Sequence, residues 1–407
     1  MKAIKSKVLA GLLIAGLILF GLTSCSSNPT DPPGALPSAP PDPVPSAPPA
    51  LVTGYAEAIP PQYDDVSLFR NGRVAVKLGD KWGLIDKVGT VVLPIEYDYV
   101  APTVEGMIIV RRDGKNGVLD SGGKQIVPLE YDYISNAPVS EKLFRAEKGG
   151  KSGCIDFSGK EVVPFSFDKD GIGSFSDGLA AAARDGKWGY IDTTGAEVVP
   201  FKYDRAYSFL SSARLALVKL NDKYGFIDST GTEVIPIAYD DASHFAATHT
   251  LAKAKQGGKA GYIDPTGAEV VPFKYQDVQS MFWEDLAWVK LDEKYGYIDA
   301  TGIEVIPPKY DVAGEFGSQN LASVKLGDKW GFIDTTGAEV IDFQFEQARS
   351  FYEGVAQVRL EKDGKWGFVN AEGTQVVPFQ YEETLPSQEG FAAVRIGDKW
   401  GFISILN

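Results

Sequence analysis

The residue types best suited to chemistry recur along this chain instead of standing alone. A glycine that recurs ten times along the chain has a lysine two places before it in every copy. Five copies place Trp between them: Lys81-Trp82-Gly83, Lys187-Trp188-Gly189, Lys329-Trp330-Gly331, Lys365-Trp366-Gly367 and Lys399-Trp400-Gly401. Tyr224 and Tyr295 take the middle place in two further copies, and Asn116, Ser152 and Ala260 take it in the rest. Aromatic faces beside cations bind sugars and cationic groups, so the motif has the chemistry of a ligand row. A structural role competes with this. Glycine permits close backbone approach, Trp packs on the next unit, and Lys lies over a ring or pairs with an acid such as Glu161, Glu197, Glu233, Glu269, Glu304 or Glu339. A feature that every unit needs serves stacking, and this is the preferred reading.

The remaining candidates are fewer. Asp-x-x-Gly recurs, as in Asp192 to Gly195, but lacks the dense oxygen ligands of a calcium loop and reads as a turn. His244 and His249 are the only histidines and have no evident third ligand, so no metal site is expected. The sequence shows no Ser-His-Asp order, phosphate-binding glycine loop or HExxH, and no two carboxylates stand out as an acid pair. Neither catalytic residues nor a cofactor are expected. Trp283 and Trp288 break the repeat in "MFWEDLAWVK", and Trp288 takes a place where other copies vary widely. That variability suggests exposure, so these two are the candidate ligand-binding residues, with packing under a loop as the alternative.

Positioning such residues is the work of the repeat. The motif glycines from Gly83 to Gly401 are spaced 34 to 36 residues apart, so ten units fill about 55–407. Each unit reads as three short strands: an apolar run such as Leu215 to Lys219, then Trp-Gly-Phe-Ile-Asp, then Glu-Val-Val-Pro. A loop follows with an aromatic-acidic pair such as Tyr203-Asp204 and usually a Phe. Ile333 and Phe332 point to opposite faces, and both places are apolar in every copy. The middle strand is therefore buried on both sides, which one unit cannot achieve alone. The fold class is all-β, an array of about ten three-stranded antiparallel repeats. The array opens on a third-strand phrase from Glu57 and closes on a hairpin, "KWGFISILN". A propeller-like ring sealed by the first strand is preferred, and an open β-superhelix with two incomplete caps is the alternative.

Residues 1–24 form a separate segment. Lys2, Lys5 and Lys7 precede a 15-residue apolar run, Val8 to Leu22, which suits a secretory signal and is short for a membrane span. Leu22-Thr23-Ser24-Cys25 resembles the lipobox of bacterial lipoproteins, which implies cleavage before Cys25 and acylation there, with chains such as palmitate. An ordinary cleaved signal is the alternative. Residues 25–54 then form the lipidated Cys and a linker, with ten prolines between Asn28 and Ala50. As a polyproline-type stalk this reaches up to roughly 70 Å at ~3.1 Å per residue. Cys154, the only other cysteine, stands where other units carry Phe, Tyr, Leu or Val, and reads as a buried hydrophobe. Losing the signal removes three lysines and no acid, taking the formal charge from −14 to −17. Such acidity disfavours nucleic acid as a partner.

Lys-Trp-Gly-Phe-Ile-Asp followed by Gly-x-Glu-Val-Val-Pro and Tyr-Asp resembles the WG-repeat, or KWG-repeat, proteins of bacteria. The resemblance spans about Tyr55 to Asn407. It implies a β-repeat array and surface exposure, and it implies no catalytic residues. The expected protein is lipid-anchored in the cell envelope, with the membrane reached through Cys25. Its repeat surface would bind a protein, peptide or polysaccharide without catalysis. The alternatives are an envelope glycan-active enzyme using paired carboxylates and a purely structural surface spacer.

Overall fold

An apolar run such as Arg73–Leu78 folds back on Lys81–Asp86 because the intervening Gly79 accepts positive φ. In other units Asp113-Gly114 or Asn221-Asp222 fill such a turn, both residues with positive φ, as a type I′ hairpin needs. Asp86 then closes the next corner. Its Oδ1 accepts the backbone N–H groups of Val88 and Thr90, and Gly89 takes φ 86°. The chain returns as Val91–Tyr97, whose exposed alternate residues make it the outer strand.

The computed structural model describes residues 54–103, 106–135, 142–209, 213–246 and 249–405. The expected signal, Cys25 and residues 26–53 of the linker lie outside these residues. Among those described, the strands form ten antiparallel sheets. Blade 1 spans 65–97, and blades 2 to 9 span 99–131, 133–167, 179–203, 205–239, 241–275, 277–310, 312–345 and 347–381. Blade 10 combines 383–405 with Tyr55–Tyr63, which pairs along Lys399–Ile405 through Tyr55–Ile405, Ile59–Phe402 and Tyr63–Trp400. The N-terminal strand thus closes the ring, and the fold is a ten-bladed β-propeller.

One correction concerns strand number. Nine sheets have four strands instead of three, because the residues after each aromatic-acidic pair add a short first strand, such as Asp65–Val66 or Tyr99–Pro102. Blade 4 keeps three. A two-residue strand is how a unit of about 35 residues accommodates four strands.

The core is a series of layers between blades. Ile333 packs with Tyr297, Ile306 and Tyr310 toward blade 7, whereas Phe332 packs with Phe345, Phe351 and Ala356 toward blade 9. Where a unit carries the loop Phe, that ring keys into the preceding blade. Phe209 meets Tyr190 at 5.0 Å between ring centroids, Phe245 meets Phe226 at 4.8 Å, Phe282 meets Tyr262 at 4.8 Å and Phe351 meets Phe332 at 4.9 Å. At the seam Phe69 meets Phe402 at 5.1 Å, so the closing interface repeats the others. Burying each such side chain contributes about 1.5–3 kcal/mol, and the ring pairing roughly 0.5–1.5 kcal/mol more.

Candidate functional site

In most units the motif lysine pairs with the same acid, which is not the glutamate expected from sequence, whereas Lys329 donates to the Leu360 carbonyl at 3.5 Å. Lys81 pairs with Asp98 at 2.6 Å, Lys115 with Asp132 at 2.5 Å, Lys187 with Asp204 at 2.7 Å and Lys223 with Asp240 at 2.6 Å. Lys294 pairs with Asp311, Lys365 with Glu382 and Lys399 with Asp64. The acid is the one after the aromatic residue at the end of the outer strand. Its second oxygen often accepts a backbone N–H from the next blade's hairpin, as Asp132 does from Gly149 and Asp240 from Gly258. The lysine hydrogen bond is the main reason the Asp98 and Asp240 carboxyls sit below their usual range. The expected glutamates lie on the exposed outer strand instead, where Glu304 meets Lys274 at 3.0 Å.

Glycine and tryptophan are structural too. The outer strand bulges, placing Leu93 opposite Leu84 and Tyr97 opposite Trp82, so four residues span the length of two. The bulge folds over the motif glycine. A Cβ on Gly189 would stand 2.4 Å from the Val199 carbonyl oxygen, and one on Gly261 would stand 2.3 Å from that of Val271. Trp188 borders a core layer with the Arg205 guanidinium 4.3 Å from its ring, and Trp366 is buried under Arg349. The Asp-x-x-Gly oxygens are occupied by turn N–H groups, as at Asp192.

The two off-motif tryptophans differ. Trp283 is 43% exposed at the tip of a hairpin turned by Glu284 and Asp285. Trp288 is only half-buried but packs against the layer between blades 7 and 8, edge-on to Tyr295 at 5.5 Å. His249 joins Asp285 at 3.0 Å, linking the blade 6 loop to that tip. His244 lies edge-on to Tyr207, and burial lowers its pKa. Among the described residues no three His, Cys, Asp or Glu side chains group as metal ligands. Cys154 is fully buried in the layer between blades 3 and 4, where burial pushes its thiol up to about 12.

Open space lies in several places, including a cleft of about 380 Å³ beside Trp330 and Arg349, and a series of clefts follows one another along blades 1 to 4. The first, about 280 Å³, lies between Trp82 and Tyr99. The second, about 280 Å³, lies between Tyr99 and Tyr133 and includes Arg111, Asn116 and Asp132. The third, about 130 Å³, is bounded by Tyr133, Arg145, Glu147, Ser152 and Asp170. Asn116 and Ser152 stand where five other units carry Trp. Glu147 faces Ser152 across the strands, a position held by Lys or Arg in most units, such as Lys77, Arg111 and Lys219. It is 6% exposed and accepts the Asp170 N–H at 2.9 Å. Burial raises its carboxyl above the usual range, and the nearby Asp170 charge adds to this. These departures from the repeat were visible in sequence; what they enclose was not.

A family model described as "WG containing repeat" matches residues 57–82, 82–115, 117–151, 153–188, 188–224, 224–259, 261–295, 295–330, 330–366 and 366–400. No curated protein matches. Similar solved structures include a eukaryotic initiation factor at 13% identity and TM-score 0.46, covering 71% of this chain and 89% of that one. PorZ, a bacterial surface component of the type-IX secretion system of Porphyromonas gingivalis, is 10% identical with TM-score 0.28, over 85% of this chain and 58% of that one. Sqt1 of Saccharomyces cerevisiae is 12% identical with TM-score 0.33, over 82% of this chain and 100% of that one.

Proposed function

The chain belongs to the WG containing repeat family, and from that premise we propose that it is a non-catalytic binding protein of the cell envelope whose recognition surface is the row of clefts along blades 1 to 4. One observation carries this reading. The motif residues are used in holding blade to blade, whereas at Asn116 and Ser152 the repeat gives up its aromatic residue and polar clefts lie there. Exposed Tyr99 and Tyr133 divide those clefts, and exposed aromatic rings are frequent anchors of recognition. The lipobox-like Leu22 to Cys25 supports an envelope location, with the lipid on Cys25 holding the protein to a membrane.

Envelope material from the native cell, passed over the immobilised full chain, tests the site. Retention is expected for the wild type and a large loss for the Tyr99→Ala, Tyr133→Ala double variant. Equal retention by both would refute this surface. Trp283→Ala serves as the competing variant, since its 43% exposure favours a second contact at that tip. Lipidation is tested separately: labelled fatty acid should enter the wild type and not Cys25→Ser.

A further inference from the structure

We propose that the clefts along blades 1 to 4 are consecutive subsites for one neutral, hydroxyl-rich glycan chain. This rests on the binding surface proposed above and assigns its ligand. The geometry is that of a row. Tyr99 is a wall of both the first and second clefts, and Tyr133 of both the second and third. Three aromatic side chains, Trp82, Tyr99 and Tyr133, thus alternate with three spaces. Each space falls below the roughly 300–1,000 Å³ of a pocket for a whole small molecule. A ligand built of small, repeated units suits such a row.

The lining selects the chemistry of each unit. Beside the rings, the second cleft offers the Arg111 guanidinium, the Asn116 amide and the Asp132 carboxylate, whose two oxygens already hold Lys115 and the Gly149 N–H and each keep a further lone pair to accept. The third offers Arg145, Glu147, Ser152 and Asp170. Both combine strong donors with strong acceptors. A hydroxyl needs both, because it donates one hydrogen bond and accepts others. An anion would meet the carboxylates, and a cation would meet the guanidinium groups. Part of the lining is already fixed. Arg145 donates through Nη1 to the Ile172 carbonyl at 2.6 Å and through Nη2 to Ser135 Oγ at 3.3 Å, while its buried Nε has no partner. Asn116 donates to the Asp132 carbonyl at 2.9 Å, which leaves its amide oxygen to accept. Tyr99 and Tyr133 remain 39% and 44% exposed, as platforms for the C–H faces of sugar rings and not as walls of a deep apolar socket for a peptide side chain.

The test is titration calorimetry of the full chain with neutral oligosaccharides of roughly two to six units. Affinity should rise with length up to the unit that fills the row, then level off. It should be insensitive to salt between about 0.05 and 0.5 M, because no ion pair forms. Tyr133→Ala should weaken binding by roughly tenfold or more, the loss of a platform of this kind. Asn116→Trp restores the common motif residue, so it should fold normally and lose binding by filling the second cleft. Its unchanged melting curve separates a blocked site from an unfolded one. Binding without length dependence, or indifferent to both variants, would overturn the subsites. Envelope retention that requires Tyr99 and Tyr133, yet is abolished by protease and resists glycan digestion, would overturn the glycan and leave the binding surface standing. Retention indifferent to both tyrosines would overturn the two together. Release of new reducing ends would overturn the non-catalytic reading.

Discussion

Lys187 and Asp204 lie 2.7 Å apart within one unit, and the other oxygen of Asp204 accepts the N–H of Asn221, in the hairpin of the next blade, at 2.7 Å. The aspartate therefore joins two blades, and the lysine orients it. An exposed ion pair alone contributes little. The two partners should consequently differ on substitution. Lys187→Met should lower the melting temperature slightly, and Asp204→Ala should lower it more, because the hairpin N–H loses its acceptor. Equal melting temperatures for the two variants would contradict this. The sign with pH follows from the lowered Asp204 carboxyl, held down first by the Lys187 hydrogen bond and then by Asn221. The unfolded state binds the proton more readily, so this stability is complete above the ordinary carboxylate range and is lost as pH falls from that range through the lowered value. Wild type and Asp204→Ala should converge in acid, as thermal melts at descending pH would show.

Gly261 offers a sharper test of the bulge. A Cβ there would stand 2.3 Å from the Val271 carbonyl oxygen, which belongs to backbone already paired in the sheet. No side-chain rotation relieves that contact. Gly261→Ala should cost about 3 kcal/mol or more, or prevent folding. Urea denaturation measures it, and a loss of under about 1 kcal/mol would show that the outer strand yields more easily than the bulge implies.

The ring was legible because its determinants are strictly periodic: an invariant glycine, a doubly apolar middle strand and complementary ends. The short first strand was not. Two residues such as Asp65 and Val66 carry no alternation to read, and their pairing depends on the whole sheet. The lysine partner was misassigned for a related reason. The glutamates and the aspartate both recur once per unit, and only the bulge decides which of them the lysine reaches. For the site, Asn116 and Ser152 stand out in the sequence as missing aromatics, whereas Trp283 and Trp288 stand out as added ones and give the stronger signal of a contact surface. A missing large residue signals space only when its neighbours are known. Trp288 shows the converse: its place varies among units and it still packs against the layer beyond, where Leu286, Tyr297 and Phe316 lie.

Closure of the ring rests on Ile59, 2% exposed between Phe402 and the first blade. Ile59→Ala should cost about 2–5 kcal/mol, as for a large-to-small change in any core. Ile59→Asp should do more, opening the seam by placing a charge among Val66, Val74 and Ile85. Limited proteolysis should then cut the N-terminal strand before any other, and simultaneous loss of all blades would indicate that the seam is not the weakest interface.

Glu147 gives a pH dependence of opposite sign to that of the interblade aspartates. Its carboxyl is raised above the ordinary 4.5, first by burial, with the Asp170 charge adding to the shift. Here the folded state holds the proton more tightly than the unfolded one, so the group lowers stability as pH rises from the ordinary value through the raised one. Glu147→Gln keeps an oxygen to accept the Asp170 N–H and removes the charge. The variant should match the wild type at acid pH and melt higher at neutral pH, by about 2 °C. Melting below the wild type at neutral pH would mean that the carboxylate is held by Arg145 and contributes as an ion.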